Sequence, residues 1–412
     1  MKSRLAFFAG IALLAACSTS NREGFVDNGA PAGEAPAGPG DDFAEGGASP
    51  KGAIGSITGT VKAPNGEIPI AGALVYLTKD RPEPNPEGVY CDGCVHLSAS
   101  TPYAIADAAG HFELAPNASG RHFLVVQKGG FRRIREISVT EGKATLSQNL
   151  TTLPPKTDRA AGDEVPKMTV VHGAYDDIEA SLVKLGIDAS AFDVVQSALI
   201  GQAARAFLVD RARVMGAHIV FLPCGDFTQP PPNTDLSSDP EVQRNLQDFV
   251  RAGGRLYTTD WHYDFVAHTF PGYVSWVSGG ATPCSGCGRT AYDATASVVD
   301  PDLSAWLSAQ SLTNITLQRN YTTIAAVNAV ASTDADGNPK TVTPKVWVKG
   351  SKTGGAATPA TVTFEHGCGR VLFSTYHTEP STLALTPQER ALLGVLLETT
   401  VCNESPTGVV IR

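Results

Sequence analysis

The chain has 412 residues, 42% of them apolar and 18% charged, with a formal charge of −9. That is enough chain for two or three domains with sizeable cores. The negative balance, with no basic run longer than Arg132-Arg133, argues against a nucleic-acid partner.

Residues 1–17 carry positive charge at Lys2 and Arg4, run apolar from Leu5 to Leu13, and close on Leu14-Ala15-Ala16-Cys17. This is the grammar of a secretory signal, and the apolar run is too short to span a bilayer of ~30 Å as a helix. The ending resembles the bacterial lipoprotein lipobox. That resemblance implies cleavage before Cys17, acylation of Cys17 with palmitate among the acyl groups, and export. The membrane is then a partner through the lipid on Cys17. Ser18 in place of Asp implies the outer membrane in that family, with the body facing the periplasm or the outside. Residues 18–52 are rich in Asn, Gly, Ala, Pro, Glu and Asp with no apolar period, as expected of a disordered tether.

Residues 53–154 alternate short apolar runs with turn signals. The predicted strands include Ile57 to Val61, Ala73 to Leu77, Tyr103 to Ala106, Phe112 to Leu114, His122 to Gln127 and Ile134 to Val139. Such spacing predicts a small antiparallel β-sandwich. Gly59-Thr-Val61, Gly72-Ala-Leu-Val-Tyr-Leu77, Asp107-Ala-Ala-Gly-His-Phe-Glu-Leu114 and Gly130-Phe131 resemble the carboxypeptidase-regulatory-like, transthyretin-like domain. The resemblance implies a non-catalytic module. A Pro-rich insert from Lys79 to Thr101 departs from that pattern and holds Cys91 and Cys94.

Residues 155–166 read as a polar linker. From Lys167 strands alternate with helices, which predicts an α/β domain with a mostly parallel sheet over 167–402, interrupted by an insertion at about 270–358. Its predicted strands are Met168 to Val171, Phe192 to Val195, His218 to Leu222, Arg255 to Thr259, Thr361 to Glu365 and Arg370 to Thr375. Predicted helices cover Asp177 to Leu185, Ala203 to Met215, Pro240 to Ala252 and Thr386 to Thr400, and 403–412 are a tail. Val220-Phe-Leu-Pro-Cys-Gly225, Leu246 to Leu256 and Gly369-Arg-Val-Leu-Phe-Ser-Thr-Tyr-His377 resemble the class I glutamine-amidotransferase-like fold, which is flavodoxin-like, and its trehalose-utilisation-type branch.

In the amidotransferase family a Cys on a sharp strand-to-helix turn works with a His-x-Glu after a late strand, the His taking the thiol proton and the carboxylate orienting the His. Here His377-Thr-Glu379 has that spacing, but the turn reads Thr259-Asp260-Trp261-His262-Tyr263. Without the thiol, the family's glutaminase chemistry cannot run as written. Cys224 ends the third α/β strand, on the side where open α/β sheets bind ligands. His377, Glu379, Cys224 and Asp260 are therefore the candidate catalytic residues, and Asp226, Trp261, His262 and Tyr263 the candidate ligand-binding ones. The aromatic residues Trp261, Tyr263, Phe265, Tyr273 and Trp276 line either a sugar cleft or a wall packed against the insertion.

Eight Cys are present. With Cys17 lipidated, the disulfide candidates are Cys91, Cys94, Cys284, Cys287, Cys368 and Cys402, in an exported compartment where disulfides persist. Local bonds within Cys91/Cys94 and Cys284/Cys287 and a bond between Cys368 and Cys402 leave Cys224 odd. No local zinc motif occurs, and no metal or cofactor is expected. These readings converge on an anchored envelope lipoprotein with a binding or scaffold role, a degenerate enzyme fold, and an envelope protein or carbohydrate as ligand. Two alternatives stand beside it. One is a hydrolase of carbohydrate or amide centred on His377 and Glu379. The other is a zinc or redox protein using the two Cys-x-x-Cys pairs.

Overall fold

The computed structural model describes residues 52–91, 95–98, 100–197, 200–225, 227, 235–277, 291–333, 337–352, 355–378, 383–399 and 410–411. Cys17, the tether, Cys94, Asp226, Cys284, Cys287, Glu379 and Cys402 lie outside the described residues. Among the described residues no helix is long and apolar enough to cross a membrane.

The first part of the chain is built mainly on two sheets. One has the order His111–Leu114, Gly55–Thr60, Gly142–Thr145, antiparallel and then parallel. The other is antiparallel throughout: Tyr103–Ile105, Leu74–Thr78, Gly120–Lys128, Phe131–Val139, Asp163–Glu164. Strict alternation drives the short strands, with Phe112 and Leu114 buried between exposed His111 and Glu113. The turn before them is built by Asp107, whose Oδ1 accepts from the N–H of Ala109 at 2.9 Å and of His111 at 2.8 Å. Gly110 in that turn has φ +78°, and a Cβ there would strike the Val61 carbonyl oxygen. The edge strand Asp163–Glu164 comes from the stretch expected as linker. Arg132 meets Glu164 at 2.6 Å and Arg133 meets Asp163 at 3.0 Å, both pairs nearly buried. Burial works against the Asp163 charge, yet hydrogen bonds and charge from Arg133 and Arg135 hold its carboxyl below the ordinary value.

The rest of the chain is organised by a nine-stranded sheet in the order Phe192–Val195, Met168–Val171, Ile219–Leu222, Arg255–Thr259, Gly369–Ser374, Ala357–His366, Lys345–Ser351, Tyr292–Val298, Thr316–Asn320. The first five strands are parallel and the remaining pairings antiparallel. The sheet is therefore mixed, which corrects the expectation of a mostly parallel one. The insertion is the cause, because three of its strands continue the hydrogen-bond ladder instead of standing apart. The helix expected from Ala203 to Met215 is split into Ile200–Leu208 and Arg211–Met215. Asp210 interrupts it by capping the second piece, accepting from the Arg213 N–H at 3.2 Å.

One buried apolar cluster runs from Ile57, Val75 and Leu124 in the first two sheets to Leu372 and Leu392 in the second part. Trp306 Nε1 donates to the Pro69 carbonyl at 2.8 Å across the same junction. Lys128 and Glu398 form an ion pair there, with side chains only 1% and 2% exposed.

A disulfide joins Cys91 to Cys368, with Cα atoms 5.3 Å apart. This corrects the expected Cys91/Cys94 and Cys368/Cys402 pairs. It also takes Cys91 out of any zinc or redox role with Cys94. The reason is the course of the Pro-rich insert. It lies along the second part of the chain, with the Val89 N–H donating to Met215 O at 2.8 Å and Tyr90 edge-on to His218. The Cys368 N–H is held on Arg251 O at 3.1 Å beside it. Gly253, at φ +114°, lies so close that a Cβ would strike the Tyr90 carbonyl. Cys224 remains unpaired and buried.

Candidate functional site

Loops leaving the carboxyl ends of the parallel strands converge on one point, as open α/β sheets require. Asp260 follows the strand Arg255–Thr259 and opens the 3-10 turn Asp260–His262 that leads into the helix Tyr263–Thr269. Its φ is +44°, a left-handed conformation that costs a non-glycine residue about 1–3 kcal/mol. Hydrolases of α/β fold present a nucleophile on a strained strand-to-helix turn; the strained turn here carries a carboxylate. Residues of the insertion hold it in place. Asp260 Oδ1 accepts from the Tyr321 N–H at 3.0 Å and the Thr322 N–H at 2.9 Å, and the Thr322 hydroxyl donates to the Asp260 carbonyl at 3.1 Å.

His377 Nδ1 lies 3.5 Å from Asp260 Oδ2. The His377 carbonyl accepts from Gln388 Nε2 at 2.9 Å, which ties the loop to the helix Pro387–Thr399. A second carboxylate, Asp176, enters from the loop after Met168–Val171. It accepts from the Thr378 N–H at 3.1 Å, from the Thr378 hydroxyl, and from the Thr259 hydroxyl at 2.5 Å. Thr259 in turn accepts from the Cys224 N–H at 2.9 Å. Donor atoms of Cys224, Asp260 and His377 all lie within 4.8 Å of one another.

The cluster is sealed. Asp260 is 0%, Cys224 1%, His377 2% and Asp176 2% exposed. Burial raises the Asp260 and Asp176 carboxyls above their ordinary value, against the His377 charge and the hydrogen bonds just named. Burial pushes the Cys224 thiol well up, the Asp260, Asp176 and Asp264 charges push it further, and the Trp261 N–H opposes them. Such a thiol stays protonated and is a poor nucleophile.

The structure thus brings three sequence candidates together, Cys224, Asp260 and His377. His262 and Tyr263 are turned into the core. His262 Nδ1 sits 3.2 Å from Leu222 O with its ring 4.1 Å from Phe227, and Tyr263 packs edge-on against Trp276. The aromatic stretch forms the wall against the insertion and the sheet, with Tyr273 stacked on Phe364 at 4.2 Å and Trp276 edge-on to Phe373 at 4.9 Å. Trp261 is half-buried, between Tyr321 at 5.5 Å and Tyr175 at 5.1 Å, the latter half-exposed. Asp176, Tyr321 and Thr322 escaped the sequence reading. Only the rule that loops after parallel strands converge pointed toward Asp176, and nothing local marked the other two.

The grip on Asp260 has a measurable consequence. Asp260→Ala leaves the Tyr321 and Thr322 N–H groups without their acceptor while the strained backbone remains, so a loss of about 2 kcal/mol is expected. Asp260→Asn keeps an acceptor oxygen and should lose less. Urea unfolding midpoints of the two variants check this, and equal losses would mean the backbone donors do not define the turn.

No protein-family model matches the chain, and no curated protein matches it. Among solved structures, a ThuA-like protein from Bacteroides uniformis is 10% identical, with 56% of this chain and 89% of that chain covered at a TM-score of 0.33. A cytoplasmic protein from Salmonella typhimurium is 11% identical, covering 56% of this chain and 98% of that one at a TM-score of 0.34. A β-galactosidase from Rahnella sp. R3 is 14% identical, covering 59% of this chain and 33% of that one at a TM-score of 0.32. The neighbours of this chain include ThuA-like proteins, at a weak level of likeness.

Proposed function

We propose that the protein is a lipid-anchored envelope protein with a non-catalytic binding or scaffold role. In this reading a transthyretin-like β-sandwich precedes a degenerate amidotransferase-like, flavodoxin-like α/β unit. The observation that carries the non-catalytic part is the position where a nucleophile would stand. Asp260 occupies it, fully buried and bound to backbone donors, with a protonated thiol beside it. A hydrolase needs a reacting atom that substrate can touch. The anchored part rests on the leader and on Cys17. The half-buried Trp261 and half-exposed Tyr175 are among the described residues at this edge that a ligand or partner can reach.

The test follows both parts in cells and with purified protein. Radiolabelled palmitate should enter the wild-type protein and not Cys17→Ser, and the variant should leave the membrane fraction. Purified protein should turn over a panel of amides and glycosides no faster than His377→Ala does. A turnover that His377→Ala abolishes, with the fold unchanged, would replace this reading with a hydrolase. Unlabelled wild-type protein in the soluble fraction would remove the anchor.

A further inference from the structure

The carboxyl edge of the sheet buries two carboxylates and a thiol around one imidazole. Asp176, Asp260, Cys224 and His377 stand together in a place where each is at most 2% exposed. Buried charges of one sign are neutralised by protons or bound by cations, because an uncompensated charge in a dry interior is too costly. A proton shared among the carboxylates is one solution. A metal ion is the other, and the donor set fits it.

We propose that Cys224, Asp260 and His377 bind a zinc(II) ion at the carboxyl edge of the sheet. A thiolate, an imidazole and a carboxylate are the ligand types that zinc takes, and the soft sulfur disfavours magnesium and calcium. Two donors on one tetrahedral zinc stand about 3.3–3.6 Å apart, given metal–ligand distances of about 2.0–2.3 Å. Asp260 Oδ2 and His377 Nδ1 are already 3.5 Å apart, and the three residues offer donor atoms within 4.8 Å of one another. A shift of about an ångström at the sulfur closes the set. The surroundings are those of an oriented ligand shell. Tyr321 and Thr322 orient the Asp260 carboxylate on backbone donors, the Tyr321 N–H reaching Oδ2 as well at 3.3 Å, with Oδ2 turned toward His377. Asp176 positions the strand ends on which Cys224 and His377 sit, through Thr259 and Thr378. Entry of the ion releases the Cys224 thiol proton and any proton on His377 Nδ1 to solvent, the thiolate and the Asp260 carboxylate cancel the charge of the ion, and Asp176 stays outside the ligand set on its Thr259 and Thr378 donors. Because the donors are buried, the ion is taken up as the chain folds.

The test uses the full chain, purified without an affinity tag and without chelator. Elemental analysis should find about one zinc per chain. Exchange for cobalt(II) should give a thiolate-to-cobalt charge-transfer absorption in the near ultraviolet. That band should disappear in Cys224→Ala and survive in a Cys284→Ser/Cys287→Ser double variant. Asp260→Asn, which keeps the side-chain shape and an acceptor oxygen, should weaken metal retention by at least about tenfold with its circular dichroism unchanged. Protein that retains no zinc and gives no cobalt band overturns the proposal, as does a band that persists in Cys224→Ala. Asp260→Asn holding the metal as tightly as the wild type would also overturn it.

Discussion

Glu398→Gln is expected to cost the fold about 3–5 kcal/mol, among the largest losses open to a single substitution in this chain. Glu398 lies in the helix Pro387–Thr399 and meets Lys128, the last residue of the strand Gly120–Lys128. The two side chains are 2% and 1% exposed, so the variant leaves a buried ammonium without its carboxylate. The reciprocal variant behaves differently with pH. Burial raises the Glu398 carboxyl above its ordinary value, and Lys128 and then Lys345 pull it back. A carboxyl raised in the folded state gives a stabilising contribution that is complete below its unfolded value of about 4.3 and is lost as pH rises through the folded value. Lys128→Met removes the main opposing charge, so Glu398 should titrate higher still. The loss in Lys128→Met relative to the wild type should therefore be small near pH 5 and grow toward neutrality. Lys128→Met/Glu398→Leu should recover most of the stability, since apolar replacement of a buried pair is often neutral or better. Urea midpoints across a pH series read all three, and a loss in Lys128→Met that does not change with pH would show that Glu398 is not the group concerned.

Cys368→Ser is expected to cost about 2–5 kcal/mol, the upper part of that range being favoured by the length of the closed loop. The bonded residues are separated by 277 positions, so opening the bond releases much of the unfolded chain. The bond also secures the Pro-rich insert, together with the contacts of Val89 to Met215 and Tyr90 to His218. Peptide mapping of unreduced protein should find Cys91 and Cys368 in one linked fragment. A fragment joining Cys91 to Cys94 would contradict the pairing, and a Cys368→Ser variant as stable as the wild type would show the insert to be held by other contacts.

These two cross-links mark where sequence reading ends. The strands Met168–Val171 and Arg255–Thr259 stand where their apolar runs put them, because each run is bounded by turn residues and buried on both faces. The helix Pro240–Arg251 is equally legible, with Asp239 capping it, proline at its first position and Gly253-Gly254 beyond its end. Local chemistry decides such elements. The fate of the insertion is not local. Tyr292–Val298 falls inside the insertion, to which the sequence reading assigns no strand, and pairing with Lys345–Ser351 makes it part of the central sheet. The Cys91–Cys368 bond and the Lys128–Glu398 pair likewise depend on how distant segments dock. At the candidate site the residue types were legible in Cys224, Asp260 and His377. Their burial was not, since it is supplied by Tyr321 and Thr322 from the insertion and by Asp176 from the first loop of the sheet.

The accessibility of the Cys224 thiol tests the non-catalytic account most directly. The measurement is the rate at which iodoacetamide modifies Cys224 in native, chelator-treated protein, compared with the same residue in the unfolded chain. Native Cys224 is expected to react at least about a thousandfold more slowly, limited by opening of the fold. Modification of the native thiol as fast as the unfolded one, slowed by His377→Ala, would mean an open and activated nucleophile and would contradict the account.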